Sequence, residues 1–353
     1  MSSSSIASGR FERGNVTLEV IARTLGVSTA TVSLALRNNP LVADATKKKV
    51  QRAARELGYI YNRSAAALRT SRTNTLGVAF HDISNPYFAE MLASLVDAVV
   101  QSGRSILLGS CADDLERQST VLETLKEHRP DGIIVCPVTG SDGDSLNHLL
   151  AAGIHVVQVA RQVEGLEADF VGSDDHYGTA LALEHLIGLG HRRIALVGGD
   201  MHTSTGRDRR RSYEETLLAN GIAIDDDMII EGVGNAALGV SIVEHWMEQN
   251  DRATAFLCVN DTVALSAYGA AKRMGVDMPG ELSIIGSDDV EVSGVMYPGL
   301  TTIRTNHAEI ARRAAQVMAM RIDAPEADRM SVVLKPSLVV RGTTAAPAFM
   351  THM

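Results

Sequence analysis

The chain is poor in aromatic residues: six Phe, seven Tyr and one Trp make up 4% of its 353 residues. Leu, Val, Ile and Ala must supply most of any core, and a hydrophobic content of 45% is ample for one. Cysteine is scarce as well. Cys111, Cys136 and Cys258 lie far apart, form no CxxC pair and each sit in an apolar stretch. Buried thiols in a reducing compartment fit that pattern better than disulfides or metal ligands. No apolar run is long enough to span a bilayer. Residues 1–14 are Ser-rich and polar with no apolar stretch of signal-peptide length, which argues against export and for a cytoplasmic protein. Enzyme motifs are also missing. No GxGxxG opens a helix after a first strand, no GKS/T phosphate loop and no HExxH occur, and the histidines are scattered without ligand spacing. Catalysis is therefore disfavoured, and no cofactor or metal is expected.

What is present is an uneven charge. The net charge of −9 conceals a basic head: up to Thr73 there are 12 Lys and Arg against 4 Asp and Glu. The remainder carries 21 basic and 38 acidic residues. A basic head on an acidic body suits a phosphate-binding module joined to a soluble sensor, although a solvated basic face would look the same by charge alone. At this length two or three domains are expected.

The head has a readable plan. Leu18, Ile21, Ala22 and Leu25 fall on one helical face, Gly26 supplies a turn, and Ser28 can cap a second helix over Thr29–Leu36. Helix, short Gly-containing turn and capped helix make a helix-turn-helix. Asp44 is expected to cap a third helix, with Val50, Ala53, Ala54 and Leu57 as its apolar stripe and Lys47, Lys48, Lys49, Arg52 and Arg55 outside. The Ala-rich segment 59–70 could be helical but is too short to be stable alone in water.

After Thr73 short apolar runs recur at 76–80, 105–108, 132–135, 155–159, 193–197, 255–259 and 282–285. Amphipathic stretches of helical length lie between them, at 87–102, 116–128, 175–189, 207–220 and 261–274. This alternation predicts parallel α/β sheets, in two lobes rather than one, with a ligand cleft beyond the carboxyl ends of the strands. The expected organisation is an extension at 1–14, a head at 15–61, a hinge at 62–73, a two-lobed body at 74–343 and a tail at 344–353.

These motifs together carry a family resemblance. The head reads Val27-Ser28-Thr29-Ala30-Thr31-Val32-Ser33, with Leu57-Gly58-Tyr59 before the hinge. The body reads Asp82-Ile83-Ser84-Asn85-Pro86-Tyr87-Phe88, then His185-Leu186-Ile187-Gly188-Leu189-Gly190-His191-Arg192-Arg193-Ile194-Ala195. Asn260-Asp261, Gly286-Ser287-Asp288-Asp289 and Pro298-Gly299-Leu300-Thr301-Thr302-Ile303 follow. In that order and spacing the chain resembles the lactose-repressor family from about Val16 to Thr343. Its body resembles type I periplasmic sugar-binding proteins.

The resemblance implies a homodimer whose paired heads read a pseudo-palindromic operator, with the second helix in the major groove. Thr29, Ala30 and Leu34 match base-facing positions, and Ser28, Thr31, Ser33 and Arg37 lie nearer the DNA backbone. Many relatives carry a long polar or basic residue where Leu34 stands; a leucine can meet a thymine methyl but cannot make a bidentate contact to guanine. In the hinge, Asn62 and Arg69 flank Leu68, which matches the leucine that wedges into the minor groove, packing against the body being the alternative. Tyr87, Phe88, Arg209, Asn260 and Asp288 match effector contacts, although Arg209 lies in a basic run that could equally be a solvated helix face. Two departures stand out. Val159-Ala160-Arg161 lacks the carboxylate of the family's Val-Asp-Arg, and Gly234 replaces an aromatic that stacks on purines. A small polar effector, a sugar or sugar acid, is therefore implied, with induction and corepression both open. No heptad helix follows Thr343, so a dimer and not a tetramer is expected. A solute-binding transport protein is the rival, but it leaves the basic head unexplained.

Overall fold

In the computed structural model, which describes residues 16–59 and 72–348, the apolar positions of the head close on one another. Helix α1 spans Leu18–Leu25 and ends at Gly26, whose φ of 65° places its N–H on the Ala22 carbonyl. That left-handed turn suits a residue without a Cβ. The Ser28 hydroxyl then accepts from the Thr31 N–H at 3.1 Å and starts α2, Thr29–Leu36. The axes of α1 and α2 turn through 106°, as in a helix-turn-helix. Helix α3, Asp44–Glu56, completes a core of Ile21, Val32, Ala35 and Val50, all fully buried. One expectation is corrected here. Asp44 is the first helical residue and not the cap; Ala43 precedes it without a side-chain bond, and the Asp44 carboxylate takes Lys47 Nζ at 3.0 Å. Lys48, Lys49, Arg52 and Arg55 remain exposed.

The second compact unit begins at Arg72. Its first sheet is built from β1 (Thr75–Phe80), β2 (Ser105–Ser110), β3 (Gly132–Val135), β4 (His155–Val159), β5 (Asp169–Ser173) and β11 (Ser331–Leu334). The order is β11-β5-β4-β3-β1-β2, parallel throughout. Helices α4 (Pro86–Gln101) and α12 (His307–Asp323) cover one face, and α5 (Leu115–Glu127) and α6 (Asp144–Ala151) the other. The second sheet runs β12-β10-β9-β8-β6-β7. It comprises β6 (Ile194–Val197), β7 (Ile229–Ile230), β8 (Ala255–Cys258), β9 (Ser283–Asp288), β10 (Thr301–Arg304) and β12 (Ser337–Val339), the last antiparallel. Helices α7 (Asp175–Gly188) and α8 (Ser204–Ala219) pack on one face, α9 (Ala236–Glu248) and α10 (Asp261–Arg273) on the other. A short α11, Glu291–Val295, follows β9.

Both faces of each sheet are thus buried, which is why the strands read as continuous apolar runs. The chain passes between the lobes after Ser173, after Arg304 and after Leu334. Consequently α12 packs on the first lobe although it follows a strand of the second. Residues 344–348, expected as a tail, lie against the second lobe: Ala345 N–H donates to Ser283 Oγ at 3.1 Å and Ala348 N–H to the Gly280 carbonyl at 3.3 Å. The three cysteines are buried free thiols. Among the described residues no single helix is long and apolar enough to cross a membrane.

Asp261 knots the second lobe. Fully buried, its carboxylate accepts from Val290 N–H at 3.0 Å, Ser293 Oγ at 2.7 Å and Thr302 Oγ1 at 2.5 Å. It therefore ties α10 to the loop after β9 and to β10. Gly286 beneath it has no room for a side chain, because a Cβ would collide with the same carboxylate. Burial pushes the Asp261 carboxyl up to about 6, against the three donated bonds that favour the charged form. A carboxyl raised on folding adds stability that is complete below the unfolded value and lost as pH rises through the folded one. In guanidinium unfolding, the stability of wild type relative to Asp261→Asn should fall by about 2 kcal/mol between pH 4 and pH 7. A flat difference would show that Asp261 titrates as an ordinary carboxylate.

Candidate effector cleft and DNA-facing head

The cleft is assembled at strand ends, where an α/β sheet leaves backbone groups and side chains free to meet a ligand. His81 follows β1, Ala160 and Arg161 follow β4, and Ser173 ends β5. Val259 and Asn260 follow β8, Asp288 ends β9, and Thr305 follows β10. Between the lobes they line a cleft, open to solvent, of about 550 Å³.

Local sequence explains each placement. Asn85 caps α4 by accepting from Tyr87 N–H at 3.1 Å, and Pro86 presets the first turn. That turn carries Tyr87 and Phe88 into the cleft wall, with ring centroids 4.8 Å apart edge to face. Asn260 caps α10 through Val263 N–H at 2.8 Å, and its Nδ2 donates to the Gly234 carbonyl at 2.7 Å. Its amide is thus largely occupied by structure. Asp288 has a φ of 128°, a strained backbone for a non-glycine residue, and is only 6% exposed. Ala160, also left-handed at 60°, lines the cleft where the carboxylate is missing.

All five positions expected to meet effector, Tyr87, Phe88, Arg209, Asn260 and Asp288, line this one cleft. Arg209 is not part of a solvated face. Its Nε and Nη2 donate to Asp175 Oδ1 at 2.9 and 2.7 Å, and Nη1 to the Val259 carbonyl at 2.9 Å. Burial alone would lower its pKa, but the carboxylates of Asp175 and Asp288 reverse that and raise it. Of its five N–H groups, two remain for a ligand. The neighbouring arginines of the run are spent on the surface, Arg210 on Glu214 and Arg211 on Asp208.

Sequence reasoning missed Asp175, Arg161 and His81. A signal for the first existed: Gly172-Ser173-Asp174-Asp175 repeats Gly286-Ser287-Asp288-Asp289, each at the end of a strand reaching the cleft. Arg161 turns to Asp113, its Nη1 2.9 Å from Oδ1, while Thr139 donates to the same carboxylate. Burial, reinforced by Arg161, holds His81 down at about 3, so its ring is neutral. Burial also raises Tyr87, leaving a neutral phenol. Asp288 is pushed well up by burial, with Asp261 adding to it. Asp289 and His191, also in the quoted motifs, have structural tasks. Asp289 pairs with Arg304 at 2.7 Å and Arg341 at 2.6 Å, and His191 bonds Thr254 and Ser283.

In the head, Ser28, Thr29, Ala30 and Arg37 are exposed, Thr31 is half-buried, and Arg37 Nε donates to the Ser33 carbonyl at 3.2 Å. Ser33 departs from expectation, being 6% exposed and turned into the head. Leu34 is half-buried against the head's core. Asn62, Leu68 and Arg69 lie outside the described residues. Among the described residues no group of three or more His, Cys, Asp or Glu is placed to hold a metal.

A helix-turn-helix head followed by a two-lobed body with a polar interlobe cleft defines a ligand-responsive DNA-binding regulator. Residues 17–62 match bacterial regulatory proteins of the lacI family, and residues 183–344 a periplasmic binding protein-like domain. The chain belongs to the lacI family of transcriptional regulators. It is 32% identical to the HTH-type transcriptional regulator GalR of Escherichia coli (strain K12) over 332 residues, 94% of this chain and 96% of that one. Its fold matches the lac repressor dimer bound to operator and the anti-inducer ONPF with a TM-score of 0.81 and 27% identity, covering 94% and 100%. A lacI-family regulator from Enterococcus faecium with bound ribose matches with a TM-score of 0.70 and 27% identity, covering 77% and 99%.

Removing the arginine of the buried pair should strand Asp175. Arg209→Met is expected to destabilise the body by about 3–5 kcal/mol in chemical denaturation. Adding Asp175→Asn should recover most of the loss, since no charge is then left unpaired. Additive losses would mean that the two side chains act independently.

Proposed function

We propose that the protein is a transcriptional repressor acting as a homodimer on a pseudo-palindromic operator, its affinity set by a small polyhydroxylated effector bound in the interlobe cleft. The observation that carries this reading is the convergence of Tyr87, Phe88, Arg209, Asn260 and Asp288 on one cleft at the strand ends. Two free N–H groups of Arg209, a buried acceptor at Asp288 and a neutral phenol at Tyr87 offer the donors and acceptors that hydroxyl groups need. Gly234 puts no aromatic there, and its carbonyl is taken by Asn260, which disfavours a stacked purine. The relative from Enterococcus faecium holds ribose, a polyhydroxylated ligand of the kind proposed.

Thr29, Ala30 and Leu34 are assigned to base edges and Ser28, Thr31 and Arg37 to phosphates, with Asn62, Leu68 and Arg69 acting in the hinge. The boundaries are those of the sequence: head 15–61, hinge 62–73, body from 74. The exposed apolar residues Val292, Val295 and Tyr297, the last 97% exposed, support pairing through the second lobe. The protein acts in the cytoplasm, without catalysis, and its effector favours one arrangement of the lobes.

A gel-shift titration with the DNA upstream of its own gene tests this. Full-length protein should bind a palindromic segment at least 1,000-fold, on the order of the usual specificity ratio, more tightly than scrambled DNA. Leu68→Ala should lose specific affinity while retaining non-specific binding, and Asp288→Asn should bind operator but ignore effector. Equal affinity for palindromic and scrambled DNA would defeat the reading.

A further inference from the structure

A second cavity of about 580 Å³ lies beside the first and shares Arg161 with it. The two also meet along the backbone: Ala160 faces the inner cavity and Gln162, two residues on, the outer one, while Thr205 faces the inner and its neighbour Ser204 the outer. The outer walls come from both lobes. Gln162 N–H donates to Ser204 Oγ at 2.9 Å, and Arg207 Nη2 approaches Glu164 Oε1 at 3.4 Å across the gap.

The chemistry of the outer cavity is mixed and electrically balanced. Arg161 and Arg207 face Asp142 and Glu164, with the hydroxyls of Ser141, Thr203 and Ser204 among them. Arg161 is held by Asp113 at 2.9 Å, and Arg207 has Glu164 opposite it at 3.4 Å, so each guanidinium has a carboxylate beside it and a further anion gains little. Pro137, Val138 and Val163 add apolar surface between these polar groups, a mixture that suits the alternating hydroxyl and C–H faces of a sugar ring. A neutral, hydroxyl-bearing unit satisfies such a wall.

We infer that the effector has at least two linked polyhydroxylated units, a disaccharide or longer oligosaccharide, with one unit against Tyr87 and Asp288 and the next in the outer cavity. The inference rests on the cleft being the effector site. It also gives the second unit a regulatory task. The outer walls belong to opposite lobes, so a unit lodged there contacts both and biases their relative position more than a single inner ring does.

Titration calorimetry on the full chain decides it, with glucose, galactose, mannose and ribose set against cellobiose, maltose, lactose and melibiose. At least one disaccharide is expected to bind ten-fold or more tightly than any monosaccharide. His202 is an exposed residue of the outer cavity. His202→Trp, which fills that space without disturbing a core, should remove the ten-fold gain and leave monosaccharide affinity unchanged. Arg207→Ala should weaken disaccharides alone, and Tyr87→Ala should weaken sugars of both sizes. Monosaccharide binding as tight as any disaccharide, or disaccharide binding indifferent to His202→Trp, overturns the two-unit inference and leaves the cleft assignment standing. Binding by none of the eight sugars overturns the saccharide reading of the cleft, and this inference with it.

Discussion

A cleft lined by buried ionisable groups must balance its own charges, and the pair in which Arg209 Nε and Nη2 both donate to Asp175 Oδ1 is how this one does so. A guanidinium or carboxylate buried alone costs several kcal/mol, far more than one surface ion pair returns. Placing Asp175 on the first turn of α7 and Arg209 on α8 fixes the two helices that begin on either side of β6. Arg209 Nη1 on the Val259 carbonyl then fixes the end of β8. With those two helices and that strand end held, Asn260 has a defined position, and Arg209 keeps two donors for the space between the lobes. The pair therefore settles both the shape of the site and its sign. Its positive charge is already answered by Asp175, with the Asp288 carboxyl close by, so an anionic ligand gains little there.

The same constraint explains the knot at Asp261. A carboxylate with no solvent contact needs donors from protein, and Val290, Ser293 and Thr302 supply them from three separate elements. The Asp288 loop hangs between these anchors in a backbone conformation that a free chain would rarely adopt. Strain of this kind persists where the surroundings over-determine it, and here Asp261 on one side and the Asp289 pairs with Arg304 and Arg341 on the other do so. The site is built on strand ends pinned from below, which is the arrangement that keeps a binding geometry rigid.

Much of this was legible in the residues. The helix-turn-helix could be read because Gly26 and Ser28 punctuate two apolar stripes, and punctuation is local. The five cleft positions could be named because family motifs mark them, Tyr87 and Phe88 in a capped first turn, Asn260 on a cap, Asp288 at a strand end and Arg209 within a helix. Three kinds of feature stayed hidden. The edge strands β7, β11 and β12 are too short and too exposed to show a pattern. The return of α12 to the first lobe is a topological fact that its own apolar stripe cannot declare. Contacts such as Arg161 with Asp113, 48 residues apart, depend on two loops meeting. Ser33 shows the opposite error, since the motif suggests a contact residue while packing turns the side chain inward.

The chain crosses between the lobes at three places, and the first two lie beside residues that line the cleft, Ser173 and Asp175 at one and Thr305 at the other. His307, just past the second crossing, stacks edge to face on Tyr87 at 5.7 Å and meets Glu90 at 3.1 Å. Glu90 in turn accepts from Glu291 N–H at 3.0 Å, so a helix of the first lobe is fastened to the second on the hinge side. On the opposite side the lobes meet through Gln162 with Ser204 and Arg207 with Glu164. A ligand between these fastenings can favour one lobe arrangement only by the difference in its contacts with the two. Moving a regulator from mostly bound to mostly released takes about 5.5 kcal/mol of such difference. A few hydrogen bonds at about 1–1.5 kcal/mol each reach that sum only if most are made in one arrangement alone. Residues that face each other across the gap are the ones whose bonds depend on that arrangement. The walls between the lobes, more than the floor beneath either one, are therefore where effector identity becomes a change in state.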